Sequence, residues 1–442
     1  MAITLTQQPG NYNLAYGINP VTLHGLTVED KYVLQILQGS TVLADIRQTP
    51  NENGNAEFDI QNILQTYVKP SGLFLPNTTN FADSEEEVFE YNIAYGTETD
   101  GEIDTPLNIE IGLKVIGGRK DYYDLQWNEA RYIPTVGSDG EGICTEVEYA
   151  AQALTDWSEY KLISDITDEV PDWSVATDKV YTQKVRPSDN FTLSLLNVPR
   201  YGANPPTVPV DTVKAFRLTA YDEFGTLVFD YKINNGVTTN DTVVTAGVGP
   251  AQTAVGLYPA VKYYYIGFPV ATPTECVTEF SGFTDQSAWD IYRFDVVDDK
   301  CNDYTPIQFS WLNSFGFRDY FYFEKKNERR VNISRNNYLA ESNDFSIGVY
   351  SSPLEARGYT TYSQKLEETY VANTRFLQDY EATFLENLFI SPDVRVRFGD
   401  DAKWYPVTLL STSYTERNYR KDKLFQYEIA FKKAHNIKSQ RG

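Results

Sequence analysis

The segment FSWLNSFGFRDYFYF, residues 309–323, carries eight aromatic rings in fifteen positions. Its first two rings are two residues apart, which is the spacing of a β-strand because successive side chains point to opposite faces. The following NSFG (313–316) predicts a turn, since Gly316 can adopt a positive φ. The final YFYF (320–323) predicts a second strand with rings on both faces, and such a strand must be covered by another sheet or by another chain.

Composition extends this pattern to the whole chain. The 442 residues include 33 Tyr and 24 Phe, whose large flat side chains favour strands, and the length suggests about three domains. We therefore expect a mainly β fold, with two or three β-sandwich-like domains and at least two short helices. The opening MAITLTQQPG resembles no secretory signal, and no apolar run reaches the ~20 residues that a membrane span needs.

Changes in patterning predict four segments along the chain. We expect an N-terminal β-sandwich with a short helix over 1–135 and an acidic connector over 136–174. A second β-sandwich is expected over 175–300, and a C-terminal α+β segment that contains the aromatic hairpin over 301–442.

Local patterns predict individual elements within these segments. Alternation of apolar and polar residues predicts strands, and apolar residues at i, i+3, i+4 and i+7 predict helices. An Asp at a helix start is a predicted N-cap, because its carboxylate accepts hydrogen bonds from the free amides of the first turn. The predicted elements are hairpins over 32–48 (turned at Gly39-Ser40) and 215–233 (turned at 222–225), helices over 58–68 (capped by Asp59) and 379–390 (capped by Asp379, stopped by Ser391-Pro392), and strands over 87–98, 106–118, 184–197, 262–270, 289–297, 394–398 and 423–431.

Charge is distributed unevenly along the chain, whose net charge is −23. Residues 301–442 contain 20 Lys and Arg and 18 Asp and Glu, whereas residues 1–300 contain 18 and 43. A nucleic-acid-binding protein needs the opposite sign to neutralise phosphates, so specific DNA binding is not expected. The acidic part serves either to repel DNA or simply to keep the protein in solution.

Residues that carry chemistry are scarce. The two histidines are His24, predicted to be a turn or edge residue, and His435, and no phosphate-binding, nucleophile-elbow, zinc or EF-hand motif is present. We therefore predict no enzyme activity, no catalytic residue, no metal site and no cofactor. Cys144, Cys276 and Cys301 indicate free thiols in a reducing cytoplasm, with a Cys276–Cys301 disulfide as the alternative.

Three stretches are candidate contact sites, each with a plain structural alternative, and a fourth imitates a phosphate-binding loop. Residues 163–173 set acidic residues beside Trp173, which suits a sugar or calcium, or a solvated connector. Residues 325–330 (KKNERR) suit an acidic partner or a phosphate, or a charged turn. Residues 236–256, small and Thr-rich, predict a flexible loop that is either a contact arm or a disordered tip. Residues 247–252 (GVGPAQ) imitate a phosphate loop without its pattern.

Four stretches together resemble the virion structural proteins of tailed bacteriophages that infect Bacteroidota, including the crAss-like phages. The resemblance covers both ends of the chain and is thin over roughly 140–300. It lies in the opening (1–23), in residues 47–68, in the aromatic stretch and at the end of the last predicted helix. The residues that match are Tyr16, Asn19, Pro20, Pro50, Asn51, Gly54, Phe58, Asp59, Phe309, Trp311, Leu312, Asn313, Gly316, Tyr320, Phe321, Tyr322, Phe323, Leu388, Ser391, Pro392 and Val394.

The resemblance implies a tail ring or adaptor protein of the virion, made in the host cytoplasm, without cofactor or membrane. Its partners would be copies of itself in a symmetric ring, other tail and portal-complex proteins, and DNA that passes without specific binding. The ring-rich hairpin would then serve as core and as subunit contact. The predicted subunit-interface residues are Phe315, Phe317, Tyr320 and Tyr322, and Phe315 and Phe317 are expected to protrude.

Two other classes of function are open at this point. The chain could be a host-surface glycan-binding fibre or adhesin module, with Trp127, Trp157 or Trp173 as a stacking platform. It could also be a glycoside hydrolase or polysaccharide lyase, since a pair of carboxylates across a sugar-sized gap is enough for that chemistry.

Overall fold

The structure is a computed structural model that describes residues 3–10, 12–17, 19–25, 30–68, 81–84, 87–119, 180–197, 215–237, 242–268, 291–297, 304–339, 359–377, 379–399, 401, 403–410, 426–435 and 438–441. The described chain has the predicted mainly β fold, with several sheets and two α-helices. It divides into two compact units. The first comprises residues 1–300 and 311–319, and the second residues 301–310 and 320–442.

Up to residue 300 the described elements are β1 (Thr4–Gln7), β2 (Tyr12–Tyr16), β3 (Pro20–His24), β4 (Lys31–Gln38), β5 (Thr41–Gln48), β6 (Asn55–Asp59), α1 (Gln61–Tyr67), β7 (Phe81–Ser84), β8 (Val88–Thr99), β9 (Glu102–Ile103), β10 (Asn108–Arg119), β11 (Val180–Val185), β12 (Thr192–Asn197), β13 (Ala215–Tyr221), β14 (Leu227–Asn234), β15 (Thr242–Gly247), a 3₁₀ helix (Ala254–Leu257), β16 (Tyr263–Gly267) and β17 (Ile291–Val296). From residue 301 onward they are β18 (Ile307–Leu312), β19 (Arg318–Phe323), β20 (Asn327–Leu339), β21 (Tyr359–Asn373), α2 (Asp379–Ile390), β22 (Val394–Phe398), β23 (Tyr405–Leu409), β24 (Glu428–Lys433) and β25 (Lys438–Arg441).

Two sheets of the first unit share one core near its N-terminus. The sheet β1-β3-β6 faces the larger sheet β2-β10-β8-β4-β5, to which β9 adds at β8. Alternate residues of the strands, such as Leu34 and Ile93, point into this core and meet Phe58 from the facing sheet. Helix α1 contributes the buried Leu64 to the same core. This is the sandwich arrangement that the alternating sequence pattern predicts.

A second pair of sheets follows in the same unit. The sheet β12-β15-β7 faces the five-stranded sheet β11-β17-β16-β13-β14. Rings join them, since Phe81 lies 5.6 Å from Phe216 and Phe191 lies 5.1 Å from Phe294 between centroids. The Tyr264 hydroxyl, whose pKa burial raises well above its ordinary value, donates to the Val248 carbonyl at 2.9 Å. Strand β7 comes from the N-terminal part of the chain, so this sheet depends on a long-range pairing.

The second unit is built on one large sheet. Its strand order is β19-β18-β22-β23-β24-β21-β20, with β25 paired to β21. Helix α2 buries Phe384, Leu385 and Leu388, and the Phe384 ring lies 6.4 Å from that of Phe321 in β19. Neither described helix is long and apolar enough to cross a bilayer.

The predicted hairpins are confirmed. Strands β4 and β5 turn at Gly39, whose φ is +59°, and β13 and β14 turn where the Asp222 carboxylate accepts the amides of Phe224 and Thr226, both at 2.8 Å. Helix α2 covers the range predicted for it, and the cap predicted at Asp379 lies outside the described side chains.

Two local predictions are wrong. Helix α1 begins one residue later than expected, with Ile60 at the N-cap position, although the Asp59 carboxylate still accepts the Gln61 amide at 3.0 Å. The flexible loop predicted over 236–256 contains β15, a strand between β12 and β7 whose Val243 and Val244 are fully buried. Its small β-branched residues fit a tightly packed strand, which a view of polarity alone misses.

Candidate interaction surfaces

The turn of the aromatic hairpin is organised by one side chain. Asn313 Oδ1 accepts the backbone amides of Phe315 at 3.0 Å and Phe317 at 2.9 Å. The backbone closes the same turn, because the Asn313 amide donates to the Phe317 carbonyl at 2.8 Å. An Asn that bonds its own following amides is a common device in turns. The residues 311–319 that contain this turn belong to the first unit.

The two rings of this turn are buried, so the prediction that Phe315 and Phe317 protrude is wrong. Their side chains are 4% and 2% exposed. They pack in a cluster that takes residues from both sandwiches of the first unit, where β2 and β10 of one meet β12 and β15 of the other. The cluster comprises Tyr12, Leu14, Ile116, Leu196, Val243, Phe315 and Phe317. The turn is therefore a core element of the first unit.

Glycines allow the turn to approach β10 at backbone distance. Gly316 has a φ of +87°, and a Cβ placed on it would overlap the carbonyl oxygen of Gly117 and lie 2.6 Å from its carbonyl carbon. A Cβ on Gly118 would lie 2.8 Å from both Phe315 Cα and the Ser314 carbonyl oxygen. A side chain at Gly316 in the turn or at Gly118 in β10 would block this approach, so both positions require glycine.

The other two predicted interface residues are also buried within the chain. In the second unit, the Tyr320 ring lies 5.9 Å from Trp404, and Arg397 donates to the Tyr322 hydroxyl at 3.4 Å. The chain itself therefore buries the rings on both faces of the hairpin strands. Contact of Phe315, Phe317, Tyr320 and Tyr322 with a neighbouring subunit stays a prediction.

A different surface of the second unit is open. Strands β20 and β21 form an antiparallel ribbon that runs in register from Asn327↔Ala372 to Leu339↔Tyr359, with one bulge beside Asn336. Among the described residues β20 pairs only with β21, so its outer edge carries free amides and carbonyls along thirteen residues. We call this pair of strands the ribbon. A long open edge is a template for pairing with another chain.

The ribbon also exposes apolar side chains. Val331 lies opposite Glu368 and Ile333 opposite Leu366, so these side chains share one face. Ile333 is 53% exposed, and Tyr359, at the far end, is 78% exposed. Val331, Leu339, Tyr338 and Tyr362 are exposed as well. Exposed branched apolar residues on a strand edge that no other described strand covers make the ribbon a candidate interaction surface.

Ion pairs fix the half of the ribbon near the sheet. The buried Glu368 carboxylate accepts from Arg329 at 2.6 Å and from the Tyr370 hydroxyl at 2.8 Å. Desolvation, followed by the hydrogen bond to Glu368, raises the pKa of Tyr370 to about 12. Hydrogen bonds from Lys326 and Arg330 lower the pKa of Glu328 on the opposite face. The charges of this half are thus satisfied within the chain.

The other half of the ribbon is purely basic. Residues 331–339 and 359–366 contain Arg335 and Lys365 and no acidic residue. Arg335 pairs with Gln364 and Lys365 with Ser334, so the two cations lie on opposite faces of the ribbon. The Arg335 and Lys365 side chains are exposed, and neither forms an ion pair with another described residue. We call residues 331–339 with 359–366 the distal ribbon.

An acidic segment occurs in the first unit. Residues 98–111, which join β8, β9 and β10, contain five acidic residues and no basic one. Glu98 is paired with Lys31 at 3.7 Å and Arg47 at 2.6 Å, whereas the other four have no cationic partner among the described side chains. Ile109 and Ile111 in the same segment are 57% and 77% exposed. We call residues 98–111 the acidic hairpin.

The remaining sequence predictions have mixed outcomes. His24 is neither a turn nor an edge residue: it is the exposed last residue of β3, the central strand of its sheet, and its Nδ1 contacts Asn55 Oδ1. Residues 325 and 326 precede β20, and residues 327–330 are its first four residues. Only the start of this stretch therefore fits the predicted charged turn. Gly249 is no phosphate cradle, since its amide donates to Gln252 Oε1 at 3.1 Å. The three cysteines, the acidic stretch 163–173, and Trp127, Trp157 and Trp173 lie outside the described residues.

Sequence reasoning missed the ribbon, although a signal exists. Residues 327–339 (NERRVNISRNNYL) alternate Val331 and Ile333 with polar residues, and 359–373 contain many Thr, Tyr and Val residues that favour strands. The exposure of both strands depends on which neighbours they find, which a local pattern does not specify.

No protein-family model matches the chain, and a search of curated proteins also gave no match.

Proposed function

We propose that this protein is a non-enzymatic structural component of a bacteriophage virion that assembles as a ring or adaptor layer of the tail around the DNA channel. Its partners would be copies of itself and other tail and portal-complex proteins. The resemblance of both chain ends to virion proteins of crAss-like phages suggests this class, and a mainly β chain with two compact units suits it.

The observation that carries the proposal is the ribbon. A thirteen-residue strand edge that pairs with no second strand in the described part of the chain, and that carries the exposed Val331 and Ile333, is a liability in an isolated subunit. In an assembly the same features are useful, because backbone groups and apolar side chains are ready to be covered. Self-assembly through unlike surfaces closes into a ring when the rotation between neighbours divides a full circle.

The charge distribution gives secondary support. Residues 1–300 contain 43 acidic and 18 basic residues. If part of this charge faced the channel, the wall would repel DNA phosphates and let DNA slide, which is the reverse of binding through counterion release. A map of the assembled particle with a neutral channel wall would rule out this part of the proposal.

Light scattering coupled to size-exclusion chromatography, with negative-stain images of the same fractions, tests the assembly. The proposal predicts closed rings whose mass is a whole multiple of 50.3 kDa. A chain that elutes only as a monomer and is retained on host polysaccharide would instead support the glycan-binding alternative.

A further inference from the structure

The outer edge of β20 fits a second copy of itself: we propose that the β20 strands of two copies pair antiparallel about a two-fold axis beside Ile333. The pairing would join the two large sheets into one, with the strand order β21-β20-β20-β21 at the junction. This inference goes beyond the proposed function, because the pairing joins two copies whether or not other surfaces close a ring.

The first argument is that the edge is open and unprotected. Every residue of β20 from 329 to 339 is exposed, and β21 is its only partner among the described strands. Natural edge strands are blunted by short length, proline, lysine or a bulge. The thirteen residues of β20 include no proline or lysine, and beyond residue 330 the only charge is Arg335. The bulge of the ribbon falls at Tyr362 in β21, so the outer edge of β20 stays regular.

The length of this edge makes the contact substantial. Thirteen residues at about 3.4 Å each extend over about 44 Å. In an antiparallel pair of that length, alternate pairs of opposite residues exchange two hydrogen bonds, which gives about twelve in total. A typical protein interface has about ten direct hydrogen bonds, so the edge alone supplies the usual number.

The second argument is that one register matches the edge to itself. The two-fold axis must pass beside a residue, since opposite residues of an antiparallel pair lie on the same face of the sheet. An axis beside Ile333 pairs all thirteen residues, because both ends of β20 are equally far from it. Val331 then faces Arg335 of the second copy, and no two like charges are opposed. An axis beside residue 332 would oppose Arg329 to Arg335, and an axis beside residue 334 would shorten the ladder.

The third argument is that the apolar faces of the two ribbons meet in this register. Ile333 lies opposite Leu366 within one copy, so pairing places Leu366, Ile333, Ile333 and Leu366 side by side across four strands. Ile333 is 53% exposed, and this row would shield part of the apolar surface that now faces water. The next row brings Arg335 of the second copy beside Val331, two strands from the Glu368 carboxylate, so the opposite charges attract.

The other face of the ribbon is polar, and the register keeps it polar. Asn332 would face Ser334 of the second copy, and Asn336 would face Arg330. These side chains can bond each other or stay in water, so none of them loses its hydrogen-bond partners. The joined sheet would therefore have one apolar and one polar face, as each ribbon has alone.

Charges placed at the axis test the pairing, since residue 333 of one copy would face residue 333 of the other. I333K opposes two positive charges and I333E two negative charges. We expect each variant alone to self-associate about tenfold or more weakly than the wild type in sedimentation velocity. An equimolar mixture of I333K and I333E should restore association, because opposite charges then meet at the axis. This rescue is specific to the proposed register.

Matched controls make the same changes at another exposed isoleucine. Ile109 in β10 is 57% exposed, and I109K and I109E, alone or mixed, should associate like the wild type. Equal weakening at the two positions would show a general effect of charge and would overturn the pairing.

Hydrogen exchange on the wild-type chain tests the pairing without any variant. Amide exchange in residues 327–339 should slow as the protein concentration rises, because the outer edge of β20 becomes hydrogen-bonded. Exchange in residues 41–48 of β5, which is also the last strand of its sheet, should not depend on concentration. Exchange in β20 that is independent of concentration while the chain associates would overturn the pairing.

The outcomes separate this inference from the proposed function. Association of I333K equal to that of the wild type, or weakened variants whose mixture is not restored, would overturn the pairing and leave ring assembly intact. Two-fold dimers without any ring would support the pairing and contradict the proposed function. Single closed rings of I333K, beside paired rings of the wild type, would support both. A wild-type chain that stays monomeric at every concentration would overturn both.

Discussion

Replacing Gly316 with alanine tests the packing of the aromatic turn against β10. The residue has a φ of +87°, which costs an alanine about 1–2 kcal/mol. Its new Cβ would also overlap the Gly117 carbonyl group, and forcing an extra methyl group into packed structure costs about 1–3 kcal/mol more. Because the obstructing atoms are backbone, we expect a total near the upper end, about 3–5 kcal/mol.

Gly101 provides a matched control. Its φ is also +87°, but a Cβ there meets nothing within 4 Å. Gly101→Ala should therefore lose only the backbone part, and the difference between the variants measures the overlap. Denaturant unfolding gives the free energies, and hydrogen exchange should show lost protection in residues 112–119 and 311–319 of the Gly316→Ala variant alone. Equal destabilisation of the two variants would refute the close approach.

Three further predictions concern the same core and the tyrosines. Phe317→Ala should lower the free energy of unfolding by about 3–5 kcal/mol. The control Phe224→Ala, at a ring that is 83% exposed, should change it by less than about 0.5 kcal/mol. Similar losses for the two variants in denaturant unfolding would show that the turn does not belong to the core. Asn313→Ala should cost about 1–3 kcal/mol because two buried turn amides lose their acceptor, and wild-type stability in the same assay would contradict that role. Stability should fall as pH rises above the ordinary tyrosine pKa of about 10, because burial raises the pKa of Tyr91 and Tyr264 in the folded state and so favours their protonated forms. Denaturation midpoints that stay constant into strongly alkaline solution would contradict this last prediction.

The elements that depend on local chemistry could be predicted from the sequence. The hairpin at Gly39 needs only a positive φ between two alternating strands, and the one at Asp222 needs only a carboxylate beside its own following amides. Helix α2 follows from its apolar spacing. These signals lie within a few residues of the structure they specify.

The interaction surfaces could not be predicted in the same way, because burial is decided by distant parts of the chain. Phe315 and Phe317 are buried since Gly117 and Gly118, some two hundred residues earlier, let the turn approach. A turn rich in aromatic rings has the same local sequence whether it packs into the core of its own chain or against a partner chain. The ribbon shows the converse: its alternating sequence pattern is ordinary, and its exposure follows from the position of β20 as the last described strand of its sheet.

Photo-cross-linking from the ribbon tests the central claim most directly. A photoreactive phenylalanine analogue at position 333 would be incorporated into one isotopically labelled population of the full chain and mixed with an unlabelled wild-type population. The account predicts cross-linked peptides that join the labelled residue to an unlabelled copy of the chain. Cross-links that form only within one copy would contradict it.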